Sequence, residues 1–180
     1  MAKSDRKTID QVFILLGSAI TIVLLFAGGL ACYGYQFATS SVRTELAAQK
    51  IYFPPKGSDS LKPEEYPDLQ KYAGQLVDDG PKAKAYANGY IGRHLDKVAG
   101  GKTYAEVSAE AMKDPTNQKL QQQKQSLFQG ETLRGLLLGD GYAYWTFGMM
   151  AKYAAIASFA GAIGMATLVL LGLRHLKKLK

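Results

Sequence analysis

The chain has 180 residues, 47% of them hydrophobic, with 22 basic and 15 acidic side chains, two histidines and one cysteine, for a formal net charge of +7. A single cysteine excludes an intramolecular disulfide and any cysteine-based zinc site. The positive charge is no argument for nucleic-acid binding, because the two short tails hold seven of the 22 basic residues and two of the 15 acidic ones, leaving the rest close to balance.

Residues 1–11 form a basic tail with Lys3, Arg6 and Lys7, and no charged residue follows over 12–32. At a rise of 1.5 Å per residue that run makes about 31 Å of helix, the thickness of a bilayer's hydrocarbon core. A lipid-embedded backbone must satisfy its own hydrogen bonds, so a transmembrane helix is predicted over 12–35. Two processing alternatives arise. The run is longer than the apolar stretch of a cleaved signal peptide, and Gly29-Leu30-Ala31-Cys32 places glycine where a bacterial lipidation site has leucine. Retention of the span is expected, with Cys32 as a small apolar residue at the membrane edge.

The helix continues over 39–49, after which Pro54, Pro55, Pro63 and Pro67 keep the chain extended or turning. A short helix over 67–77 is closed by Asp78-Asp79-Gly80. Pro81 then opens a helix with an apolar stripe of Ala87, Ile91, Leu95 and Val98, stopped by Gly100-Gly101. Thr103-Tyr104-Ala105-Glu106 is a capping box whose helix ends at Asp114-Pro115. A last helix over 116–138 is expected to break at Gly139-Asp140-Gly141. No run alternates with period two, so no sheet is expected, and 36–141 reads as a small helical domain with a modest core.

A second uncharged run covers 153–173, and the transmembrane helix predicted over 142–173 starts in an aromatic belt. Tyr142, Tyr144, Trp145 and Phe147 enter it where Tyr33, Tyr35 and Phe37 leave the first span. Lys152, beside Tyr153, suits snorkelling into the headgroups. Residues 174–180 are a basic tail that fits anionic headgroups. The fold class is thus an all-α membrane protein, two spans bracketing a helical domain. Basic tails place both termini in the cytoplasm and the domain outside the cell membrane. Neither span contains Asp, Glu or Arg, which argues against a charged pathway through one copy.

The second span is rich in small residues. Ala154, Ser158, Ala162 and Ala166 recur every four positions, and Ala157 with Gly161 and Ala160 with Gly164 form parallel pairs. Small residues let helix backbones approach closely, which matters where lipid supplies little hydrophobic drive. The first span offers Gly17, Thr21, Gly28 and Gly29. An intramolecular hairpin needs one seam; the second span has small residues on more than one side, so packing with a further subunit or a second copy is expected through Ala154, Ala157, Ser158, Gly161, Ala162 and Gly164.

Three stretches, Ile51-Tyr52-Phe53-Pro54-Pro55, Asp114-Pro115-Thr116-Asn117 and Gly130-Glu131-Thr132-Leu133-Arg134-Gly135-Leu136-Leu137-Leu138, resemble segments of a family of small actinobacterial two-span membrane proteins. The resemblance covers most of the middle segment and the second span. It implies a lineage and a topology without a settled activity, although some members carry the label of aromatic ring-opening dioxygenase. A non-haem iron oxygenase needs two histidines and a carboxylate on one face of the metal. Here His94 and His175 fall on opposite sides of the predicted membrane, so one chain cannot build that site. Lys56-Gly57-Ser58 lacks the spacing of a phosphate loop, and Asp78-Asp79-Gly80 lacks that of a calcium loop. Glu64, Glu65 and Asp68 suit the positive end of a helix.

These residues point away from catalysis and from any cofactor. The expected role is a noncatalytic accessory or assembly subunit of a larger membrane complex, a respiratory complex being one compatible host, or a homo-oligomeric envelope scaffold. Glu131, Arg134, Leu136, Leu137 and Leu138 form a candidate docking patch, in which Glu131 and Arg134 are spaced to pair. Expected partners are membrane subunits, a second copy and the bilayer. An oligomeric pore lined by Thr21, Ser158 and Thr167 is an alternative, as is an envelope enzyme with a site shared between subunits.

Overall fold

The computed structural model describes residues 3–178, with side chains from Arg6 onward. Met1, Ala2, Leu179 and Lys180, which belong to the two predicted tails, lie outside the described residues. The described residues are helical, without strands. In chain order they form α1 (Lys3–Ala48), 3-10 helices Asp59–Leu61 and Pro67–Tyr72, and α2 (Gly80–Lys84). A first π segment (Ala85–Gly92), α3 (Arg93–Ala99), α4 (Tyr104–Lys113), α5 (Gln118–Leu136), a second π segment (Leu137–Ala143) and α6 (Tyr144–Lys178) follow. The chain divides into two compact units, one of residues up to 37 with those from 147 onward, the other of residues 38–146.

In the first unit the apolar parts of α1 and α6 pack as an antiparallel pair. Ile14, Thr21 and Gly28, with Gly17, Leu24 and Ala31, are among the buried or half-buried positions of α1. On α6 they include Gly148, Ala155, Ala162 and Val169, with Ala151, Ser158, Met165 and Gly172. Each set recurs every seven residues, the spacing of a left-handed two-helix seam. Glycine permits the approach: a Cβ on Gly17 would stand 2.8 Å from Val169, one on Gly28 2.9 Å from Phe159 and one on Gly172 3.1 Å from Ile14. The outward positions, among them Phe13, Leu15, Ile22, Phe26, Ile163 and Leu168, are exposed apolar side chains. Both helices are long and apolar enough to cross a membrane.

The second unit is a small helical domain around Phe53, Leu61, Leu69, Val77, Val107 and Leu137, all essentially buried. Local signals set its elements. Asp79 caps α2 by accepting from the Lys82 amide at 2.8 Å. Thr103 and Glu106 form the predicted capping box, Gly100 ends α3 in the left-handed region at φ 60°, and the Asn117 side chain caps α5. Phe53 is stacked on Tyr72 at 5.2 Å and edge-on to Tyr86 at 5.1 Å, so one aromatic cluster joins the proline-rich segment to the first π segment.

Two expectations are corrected. The helix expected over 67–77 is realised only as the 3-10 helix Pro67–Tyr72. Beyond it, backbone bonds to the segment at 51–54 compete with helical pairing, as in Phe53 N–H to Gln75 O at 2.9 Å and Val77 N–H to Ile51 O at 2.8 Å. The second correction concerns Gly139-Asp140-Gly141, which does not break the chain's last helix. Helical structure runs unbroken from Gln118 to Lys178, passing these residues in the second π segment. Glycine inside a helix costs about 1 kcal/mol, but Gly141 is buried and a Cβ there would meet Ala83 at 3.0 Å. Its use is close packing.

Candidate functional site

The predicted packing surface of α6 separates into two faces. Ser158 and Ala162 turn inward, Ala162 being buried in the seam with α1. Ala154, Ala157, Gly161 and Gly164 are exposed. Around Gly164 there is open space where a Cβ would stand, and a Cβ on Gly161 would make only ordinary contact with Leu24 at 3.4 Å. A shallow face of small residues therefore remains on α6 after the hairpin has formed. Gly148 and Ala155 lie in the seam beside Ala162, at seven-residue steps that are legible in the sequence once counted.

The candidate docking patch is largely used up by the domain's own packing. Gly130 is held against Leu95, where a Cβ would stand 2.6 Å from Cδ2. Arg134 donates through Nη1 to both oxygens of Glu131 at 2.8 and 2.9 Å, and through Nη2 to Asn88 Oδ1 at 3.2 Å. Leu137 is buried in the core and so unavailable to a partner, and Leu138 is half-buried against it. Glu131 and Leu136 remain exposed. The most distinctive stretch of the sequence is thus explained as the strip along which α5 meets the first π segment and α3.

The aromatic residues take specific partners within each unit. In the first, Tyr33 stacks with Phe37 at 6.1 Å and Lys152 lies 5.4 Å over the ring of Tyr35 on the first helix. In the second, Tyr142 carries Lys84 over its ring at 4.4 Å and accepts from Lys84 Nζ at 3.2 Å. Trp145 packs on Gly80 under Arg43, while Tyr144 is exposed.

The acids near the start of the 3-10 helix Pro67–Tyr72 serve as ion-pair partners. Arg93 forks onto Asp68 at 2.8 and 3.0 Å, and Lys97 pairs with Glu65. Both cations also lie over the ring of Tyr66. The hydrogen bond from Arg93 holds the Asp68 carboxyl below its usual range, and that from Lys97 does the same for Glu65. Burial pushes the phenols of Tyr86 and Tyr90 upward.

His94 is exposed and lines a concavity of about 380 Å³ with Tyr90, Ser126, Gln129 and Leu133. His175 belongs to the other unit, where Nδ1 lies 3.0 Å from Asp10 Oδ2. Among the described residues no group of three or more His, Cys, Asp or Glu side chains is placed to hold a metal ion. Comparison of the chain with known proteins finds no matching family model, curated protein or solved structure.

Proposed function

We propose that the chain is a multi-pass protein of the cell membrane with both termini cytoplasmic and residues 36–141 outside, acting without catalysis as an assembly subunit. The exposed apolar flanks of α1 and α6 support insertion, since such surface is costly in water and free of that cost in lipid. The bias of Lys and Arg toward the short tails supports the orientation.

The observation that carries the assembly role is the outward face of Ala154, Ala157, Gly161 and Gly164. The hairpin consumes one set of small residues and leaves this second set exposed. In lipid, close approach at small residues is a main source of helix association. The face accepts a transmembrane helix of another membrane subunit or of a second copy. Purification in gentle detergent, with mass photometry and identification of co-purifying chains, tests this. A stoichiometric assembly is expected; a single chain of 19.6 kDa with its detergent belt would count against it. The pore reading has less support, because Thr21 and Thr167 spend their hydroxyls on the carbonyls of Gly17 and Ile163, both at 2.8 Å.

A further inference from the structure

The 3-10 helix Pro67–Tyr72 and the first π segment flank a second concavity of about 380 Å³, whose rim carries Asp68, Lys71, Lys84, Asn88 and Arg93. Three cations thus face one carboxylate, and the neighbouring acids are already taken. Arg93 forks onto Asp68, Lys97 pairs with Glu65, and Lys82 pairs with Asp78 and Asp79. Neither Lys71 nor Lys84 has a carboxylate within ion-pairing distance among the described residues; Lys71 lies over the Tyr72 ring and Lys84 over that of Tyr142. These contacts with rings and hydroxyl hold the ammonium groups in place before any ligand arrives, which lowers the ordering cost of binding.

Asn88 adds a donor by elimination. Arg134 has donors only, so the Asn88 oxygen must be the atom that meets it. The amide N–H2 is then what Asn88 offers the groove. Gly89 lets the π segment pack closely on Leu69 beside the groove, since a Cβ there would stand 2.9 Å from that side chain. The site rests on a π segment, a rare form of helix that recurs at functional sites.

We infer that this groove binds a phosphate ester. The flat, bidentate geometry that suits carboxylates is already spent by Arg93 on Asp68, whereas two lysine point charges and an amide donor suit the more spherical phosphoryl group. The volume admits one phosphate with a glycerol- or sugar-sized substituent. A phospholipid headgroup and a soluble or polymer-borne phosphate ester present the same chemistry. The inference does not depend on what the hairpin assembles with.

Amide NMR of the full chain in an uncharged detergent micelle tests it, with glycerol 3-phosphate as the probe and glycerol as the neutral control. Saturable shifts over residues 68–93 are expected with the phosphate and none with glycerol. Lys71→Gln and Lys84→Gln should each weaken the midpoint about five-fold, the scale of one exposed charge contact. Asn88→Asp should weaken it further, while Lys102→Gln, remote in its pair with Glu110, should change nothing. If glycerol 3-phosphate is silent but phosphatidylglycerol doped into the micelle gives the same shifts and the same losses, the phosphate is that of a lipid. No shift with either probe overturns the inference, as do shifts that persist unchanged in the Lys71→Gln/Lys84→Gln double variant.

Discussion

Gly130 lies so close to Leu95 that any side chain at position 130 would overlap it: a Cβ would stand 2.6 and 2.7 Å from the two Cδ atoms. Leu95 is buried, so its methyl groups must shift to admit any side chain there. Five residues on, Gly135 faces open space on the same helix.

Gly130→Ala is therefore expected to destabilise the helical domain by about 1–3 kcal/mol through overpacking. Gly135→Ala should stabilise it by about 0.5–1 kcal/mol, because alanine loses less backbone entropy in a helix. For a domain of this size each kcal/mol moves the melting temperature by about 4–8 °C. Thermal melts of the two variants should shift in opposite directions; a shared direction would remove the packing explanation of the Gly130 stretch.

Gly164 and Gly28 separate assembly from hairpin formation. Gly164→Leu places its side chain in open space, so the hairpin should form and the larger assembly should be lost. Gly28→Leu meets the Phe159 ring at 2.9 Å and should disturb the hairpin itself. Cysteine crosslinking between α1 and α6, read beside mass photometry, distinguishes them. Wild-type assembly in Gly164→Leu would reject the outward face as the contact.

The domain's response to pH follows from its ion pairs. Asp68 and Glu65 have carboxyls held below their ordinary values in the folded state, by Arg93 and Lys97 respectively. Their contribution is present above the unfolded carboxylate pKa, near 4, and is lost as pH falls through the lower folded values. Lys82 is shifted the other way, raised chiefly by its hydrogen bond to Asp78. Its contribution is complete below the unfolded lysine pKa, near 10.4, and is lost as pH rises through the higher folded value. Chemical denaturation should show a plateau between about pH 5 and 9 with a decline on either side. Asp68→Asn should flatten part of the acid limb by about 0.2–1 kcal/mol, the scale of an exposed pair. An acid limb unchanged in both Asp68→Asn and Glu65→Gln would show that the pairs contribute nothing.

The caps give a smaller effect. Thr103 accepts from the Glu106 amide, and Glu106 returns a bond to the Thr103 amide at 2.7 Å. Thr103→Ala should cost about 1 kcal/mol and Thr103→Ser little. Hydrogen exchange should show faster opening of α4 in the alanine variant, and rates equal to wild type would argue against the box.

Periodicity, length and turn chemistry are local quantities, and what depends on them was legible in the sequence. The two long apolar helices, the helical character of the residues between them, the capping box at Thr103 and the stop at Gly100 all follow from neighbours a few positions apart. The pairing of Glu131 with Arg134 is of the same kind, one helical turn in span. What only the tertiary structure decided is which side of each element is used. Small residues occur around much of α6, and only contact with α1 separates the inward Ser158 and Ala162 from the outward Ala157 and Gly164. Gly139 and Gly141 look like a break because an isolated helix is weakened by glycine. In the folded domain, the closeness of Ala83 to Gly141 turns the missing side chain into a fit. The rim of Lys71, Lys84, Asn88 and Arg93 was invisible for the same reason. Its members come from four different elements, and they converge only after the core formed by Leu69, Ala87 and Leu137 has brought those elements together.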